Sequence, residues 1–148
     1  MNILVNGDFQ AGDLSGWLSN SGPTNPVIST AGRPVGAGPP YYCAEFVGSV
    51  SLFYQTPTVP SASTTYYASF WVRRATGSTI TTTDLVIQGA PPGGTPVTTY
   101  IFNGVSAPLP NVWYFYSTSF VKNSVDTLII YGFQNGDNGY FIDDAWLG

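Results

Sequence analysis

Tyr66-Tyr67-Ala68-Ser69-Phe70-Trp71-Val72-Arg73-Arg74 reads as a strand with one buried face. Tyr66, Ala68, Phe70 and Val72 share one parity and are assigned to a core, whereas Tyr67, Ser69, Trp71 and Arg73 face outward. The rest of the chain has the same texture. Pro and Gly recur every few residues, β-branched and aromatic residues fill the gaps, and helix signals are nearly absent. Short runs between turn signals, spaced by roughly 8–12 residues, indicate an all-β sandwich or barrel. Strands are expected at Ile3–Asn6, Pro26–Thr30, Tyr41–Val47, Val50–Thr56, Thr65–Arg74, Thr82–Gln88, Val97–Asn103, Trp113–Val121, Thr127–Gln134 and Gly139–Leu147.

Other strands divide less cleanly. Tyr114, Tyr116, Thr118 and Phe120 share a face opposite Trp113, Phe115, Ser117 and Ser119, so aromatics occur on both. Around Leu128–Gln134 both parities are apolar, as in a strand covered on both sides or one whose outer face meets a partner. Asn6-Gly7, Asn103-Gly104 and Asn135-Gly136 are turn signals, because both residues accept positive φ. Asn135–Gly139 is expected to be the loop before the last strand, and the threonine-rich stretch Ser78–Thr83 is β-prone. The Pro/Gly-rich connections are too short to separate domains, so residues 1–148 are expected to form one domain.

A chain of 148 residues can bury about two thirds of its surface on folding. Charged residues make up 8%, against roughly 25% in soluble domains, while aromatics reach 16%. A folded chain with a polar but neutral surface follows, suited to an extracellular or assembled setting. The net charge is −4, and the only cations are Arg33, Arg73, Arg74 and Lys122. Nucleic-acid binding and docking on anionic lipid are therefore not expected. No run approaches the ~20 apolar residues of a membrane span. No basic segment followed by an apolar one opens the chain, so no signal peptide is visible. Cys43 reads as a small buried residue, the alternative being a disulfide to another chain.

Acidic residues stand at 8, 13, 45, 84, 126, 137, 143 and 144, five of the eight in two short terminal segments. Oxygen ligands gathered where the ends meet suggest a hard cation, best calcium, and first and last strands that are neighbours. The echo of Asn6-Gly7-Asp8 in Asn135-Gly136-Asp137 is the only internal repetition.

Val5-Asn6-Gly7-Asp8-Phe9-Gln10-Ala11-Gly12, then Trp17, resembles the opening of carbohydrate-binding modules of the family 4, 9 and 22 type. Tyr67-Ala68-Ser69-Phe70-Trp71-Val72 is similar to their central strand, with Gln55 where a glutamine often precedes it. Phe141-Ile142-Asp143-Asp144-Ala145-Trp146-Leu147 resembles their closing strand. The resemblance covers nearly the whole chain. It implies a galactose-binding-like jelly-roll β-sandwich of two antiparallel sheets. It also implies a structural calcium between the ends, with Asp143 at the usual carboxylate, Asp144 adjacent, and Gln10 where a glutamate ligand usually stands. That change removes a charge and a bidentate ligand, which Asp8 or Asp13 could replace.

Much chemistry is absent. Without histidine there is no Ser-His or Cys-His nucleophile, and one cysteine cannot build a zinc site. Glu45 and Asp84 are the only mid-chain acids in expected strands, so no hydrolase carboxylate pair is evident and no enzyme is expected. The first functional reading is a non-catalytic carbohydrate-binding module. Sugars lay apolar C–H faces on aromatic rings and offer hydroxyls to planar polar groups. Trp71, Arg73 and Tyr131 are candidates for such a surface, with Gln88, Gln134 and Glu45 as polar partners. The second reading is a self-assembling subunit or head domain of a surface fibre, spore appendage or phage tail, the apolar strand Ile3-Leu4-Val5 adding to a neighbour's sheet. Both place the chain outside the cell or on a cell, spore or virion surface.

Overall fold

Alternation of apolar and polar residues is realised as two stacked sheets. The computed structural model describes residues 1–22, 24–34, 38–79, 81–135 and 139–148. Its strands are β1 (Leu18–Ser19), β2 (Val27–Ser29), β3 (Cys43–Phe46), β4 (Val50–Gln55), β5 (Thr64–Arg74), β6 (Thr82–Ala90), β7 (Thr98–Ser106), β8 (Tyr114–Lys122), β9 (Leu128–Asn135) and β10 (Tyr140–Leu147). One five-stranded sheet runs β1-β4-β9-β6-β7 and the other β2-β3-β10-β5-β8. Every pairing between these strands is antiparallel. The fold is the expected all-β jelly-roll sandwich.

The expected strand Ile3–Asn6 does not form. Asn6 has φ 50° and opens a turn, which takes the chain out of extended geometry. The segment nevertheless lies beside the last strand, as expected. Ile3 N–H donates to Leu147 O at 2.8 Å, and Ala145 N–H donates to Gly7 O at 2.8 Å. The Asn2 side chain imitates a peptide unit: its amide donates to Ala145 O and its oxygen accepts from Leu147 N–H. β3 pairs only with Tyr140–Ile142 of β10, so this segment takes over the same strand's remaining edge. A Cβ on Gly7 would run into Ala145 O, so only glycine permits that approach. Ile3-Leu4-Val5 is thus engaged within its own chain rather than offered to a neighbour.

Asn103-Gly104 is not a turn. It lies inside β7 opposite Leu85 and Asp84, and Asn103 Nδ2 donates to Tyr116 Oη of the other sheet at 3.1 Å. Of the threonine-rich stretch, Thr82 and Thr83 join β6, whereas Ser78 and Thr79 precede it. The Asn135–Gly139 loop falls largely on residues 136–138, which lie outside the described residues, with Asp137.

The core lies between the sheets. Tyr66, Ala68, Phe70 and Val72 are buried as expected. Ile129, Tyr131 and Phe133 are 0% exposed, which resolves β9: this parity enters the core and Leu128 and Ile130 face outward. Trp17 stacks on Phe53 at 4.6 Å, and Phe70 of β5 meets Phe133 of β9 at 4.7 Å, joining the two sheets. Phe9 has φ 58°, a conformation that turns its fully buried ring toward Trp17 at 5.5 Å. Cys43 is also fully buried, and burial first, then the Asp143 carboxylate, pushes its thiol up to about 12. A disulfide to another chain is therefore closed to it.

Gln55 ties the opening segment to β4. Its Oε1 accepts from Val5 N–H at 2.9 Å and its Nε2 donates to Val5 O at 2.6 Å, with 4% exposure. Gln55→Ala is expected to cost about 2 kcal/mol in urea unfolding, because both backbone groups of Val5 lose their partner. Gln88→Ala, at a half-exposed position, is expected to leave the urea midpoint unchanged.

Candidate functional site

Six residues were expected to form one surface, and the fold divides them among three places. Trp71, Arg73 and Glu45 lie on the outer face of the β2-β3-β10-β5-β8 sheet. Gln88 and Gln134 lie on the outer face of the opposite sheet. Tyr131 lies between the sheets with no exposed surface, its hydroxyl donating to Ser69 O at 3.2 Å. Burial also raises its phenol well above the usual value. Tyr131 is a core residue and touches no ligand, because its parity on β9 points inward.

Trp71 and Arg73 face outward but are already occupied. The Arg33 guanidinium covers the Trp71 ring at 3.7 Å, and Phe115 packs against it at 5.1 Å. Arg73 lies over Phe141 at 4.4 Å and near Trp113 at 5.4 Å, with a buried Nε that has no acceptor among the described residues. These stacks use the aromatic faces and desolvate the cations. Glu45 stands beside them across Phe141 and lines a separate hollow with Thr76, Gly77 and Ser78. A platform around Trp71 is therefore not available.

The opposite outer face carries two further aromatic rings. Register places Tyr54, Gly132, Val86 and Phe102 in one row across β4, β9, β6 and β7. Partners directly opposite in antiparallel strands share a face, so the row carries a ring at each end, with Gly132 and Val86, 2% exposed, buried beneath the side chains between them. Phe102 is 55% exposed. A Cβ on Gly132 would meet Tyr54 Cβ at 2.8 Å and Leu52 Cδ1 at 2.9 Å, so glycine lets these side chains lean across the strand. The next row on one side holds Gln134 and Asp84, and the next on the other holds Ile130, Gln88 and Thr99. Among the described residues the side chains of Asp84, Gln88 and Gln134 make no hydrogen bond within the chain. Asp84 and Gln134 line a hollow of about 400 Å³ with Ser49 and Ser51. Planar amides, a carboxylate and hydroxyls thus flank two outward rings. Sequence reasoning found the two glutamines but not Tyr54 or Phe102, whose parity becomes visible only once Gly132 fixes the register.

The five residues expected to ligate a cation are engaged separately. Asp8 Oδ1 accepts from Gln10 N–H, and Asp13 Oδ1 accepts from Ser15 N–H. The Ser15 hydroxyl and N–H hold the Asp13 carboxyl below its usual value. Gln10 Nε2 donates to the carbonyls of Asp8 at 3.1 Å and Tyr42 at 3.4 Å. Asp143, 3% exposed, accepts from the N–H groups of Arg33 and Asp144. Asp144, at φ 50°, is exposed and 3.9 Å from Arg33. Among the described residues no three acidic or cysteine side chains converge on one point. The Gln10 amide nitrogen faces the carbonyls of Asp8 and Tyr42, which are oxygen donors of the kind calcium takes.

No protein-family model and no curated protein sequence matches the chain. Solved structures do. A family 61 carbohydrate-binding module in complex with β-1,4-galactotriose superposes with a TM-score of 0.66 at 18% identity, over 100% of this chain and 98% of that one. A family 16 module gives 0.73 at 15% identity, over 99% of both chains. The enzymatically active domain of tailspike protein 4 of bacteriophage CBA120 gives 0.77 at 19% identity, over 99% of this chain but only 21% of that one. At these identities the likeness establishes the fold alone, the jelly-roll sandwich that these modules share.

Asp143 gives the terminal region a pH signature. Burial raises its carboxyl from 3.8 to about 6, against the opposing pull of the Arg33 and Asp144 N–H groups. Between those values the folded chain keeps a proton that the unfolded chain has released, so stability falls as pH rises through the window and levels off above it. In EDTA, the urea midpoint is expected to drop between pH 4 and pH 6, and Asp143→Asn is expected to remove that drop.

Proposed function

We propose that the chain is a non-catalytic module that binds a neutral glycan across the outer face of β4, β9, β6 and β7. The observation that carries this reading is the row Tyr54–Gly132–Val86–Phe102 with unengaged Asp84, Gln134 and Gln88 beside it. Three strand spacings separate the two aromatic positions, about 14 Å. That span takes more than one sugar ring, with the rings meeting C–H faces and the amides meeting hydroxyls. The four cations are all used within the structure. Arg33 and Arg73 stack on rings, Arg74 donates to Ala107, Ser78 and Pro108 carbonyls, and Lys122 to Asn123 and Asp126 carbonyls. None stands on this face to attract an acidic sugar. Structures of the same fold that hold β-1,4-galactotriose or carry a carbohydrate-binding name support the same class of ligand. A glycan ligand and a neutral polar surface suit a place outside the cell or on a cell, spore or virion surface.

Tyr54→Ala and Phe102→Ala are each expected to weaken binding about tenfold, the worth of one ring–sugar contact. Isothermal titration with galacto- and xylo-oligosaccharides measures it. Trp71→Ala is expected to lower the melting temperature and leave affinity at the Tyr54–Phe102 face unchanged. Unchanged affinity in both face variants, or no binding to any neutral glycan, removes this reading.

The calcium implied by the family resemblance is a separate proposal, and the ion would have to displace the Gln10 amide from the Asp8 and Tyr42 carbonyls. A melting temperature that rises in calcium, falls back in EDTA and rises further in Gln10→Glu supports it. Superimposable melting curves in calcium and EDTA overturn it.

A further inference from the structure

We infer a second saccharide site on the opposite face of the sandwich, in a groove ringed by Tyr67, Phe115 and Trp146. The groove, about 480 Å³, runs over β10, β5 and β8. Register builds it. Tyr67 lies opposite Ser119, Ser69 lies between Ser117 and Trp146, and Phe115 lies opposite Trp71. Outward parity of these strands therefore places three serines inside a frame of three aromatic rings. Tyr67 is 59% exposed and Phe115 54%. Among the described residues the hydroxyls of Ser69, Ser117 and Ser119 make no hydrogen bond within the chain. No charged side chain lines the groove.

This chemistry selects the occupant. Rings alone would suit any apolar partner, but free hydroxyls among them are left unpaired when a dry apolar surface covers them. A neutral pyranose satisfies both demands, with C–H faces for the rings and hydroxyls for the serines. The absence of charge disfavours uronates, sulfated sugars and charged peptides. The groove adjoins the Trp71 and Arg73 surface on the same sheet, where Arg33 covers Trp71 and Arg73 covers Phe141. Phe115, packed against Trp71 at 5.1 Å, borders both and keeps an exposed side toward the groove. It is separated from the Tyr54–Phe102 face by the whole core, so each site can stand or fall without the other. Two sites on opposite faces let one module bridge two chains of a polysaccharide, and avidity on an insoluble glycan then exceeds either affinity.

The test is titration of the ¹⁵N-labelled chain with cello-, xylo- and galacto-oligosaccharides, followed by amide and indole shifts. The expected result is a saturable shift at Ser69, Ser117, Ser119 and the Trp146 indole N–H. It persists in Tyr54→Ala/Phe102→Ala and weakens about tenfold in Phe115→Ala. Ser117→Val, which keeps a β-favouring residue on an exposed strand position, is expected to weaken it likewise. Shifts confined to the Tyr54–Phe102 face overturn the second site and leave the first intact. Groove shifts alone uphold the second site and overturn the first. Groove signals that respond to protein concentration without sugar overturn the second site in favour of contact between copies.

Discussion

Strand β10 holds this molecule together, and its neighbours change along its length. β5 flanks one side throughout, apart from a shift of register between Asp143 and Trp146. On the other side β3 serves the first half, and the opening segment, led by Asn2 and Ile3, serves the second. A central strand with an unpaired half would bury backbone groups without partners, each costing about 1–3 kcal/mol. The opening motif therefore has a backbone duty. Gly7 is needed for its lack of a Cβ, Asn2 for a side chain shaped like a peptide unit, and Gln55 for holding the segment from its far side.

The same segment feeds the core. Asn6 and Phe9 adopt left-handed φ, and this bend delivers Phe9 to Trp17 and Phe53. From there aromatic contacts run through Phe133 to Phe70 and so cross from one sheet to the other. Burying a ring of this size contributes roughly 2–3 kcal/mol, so a few such residues account for much of the stability of a domain this small. Most of the chain's aromatics are used in this core or packed against it. Of those outside it, Trp71 and Phe141 are covered by arginines, whereas Phe102, Tyr67 and Phe115 stand exposed.

Scarcity of charge governs the exterior. Lys122 is fully buried and survives there because two backbone carbonyls accept its ammonium protons. Arg33 and Arg73 lie on rings, and Arg74 is spent on carbonyls. With the cations withdrawn, the outward faces present amides, hydroxyls and rings. Such faces offer phosphates or carboxylates no free cation.

Most of the fold was legible in the sequence. Period-two alternation in Tyr66–Arg74 assigned both faces of β5 correctly, and the opening and closing motifs placed the two ends together. The adjacency of the ends lies in a few backbone bonds, however, and not in a strand, because Asn6 turns the chain before a ladder can extend. The candidate site was only half legible. Side-chain parity along one strand is local information, whereas which sheet a strand joins is set by pairing between residues far apart in sequence. Gln88, Gln134, Tyr131 and Trp71 therefore read as one surface until the sheets were assembled, when they fell on two faces and in the core. The residue types and their alternation determined a charge-poor β-sandwich with outward rings. Only the tertiary structure decided which rings remain free, because that depends on what other segments, such as the loop carrying Arg33, lay across them.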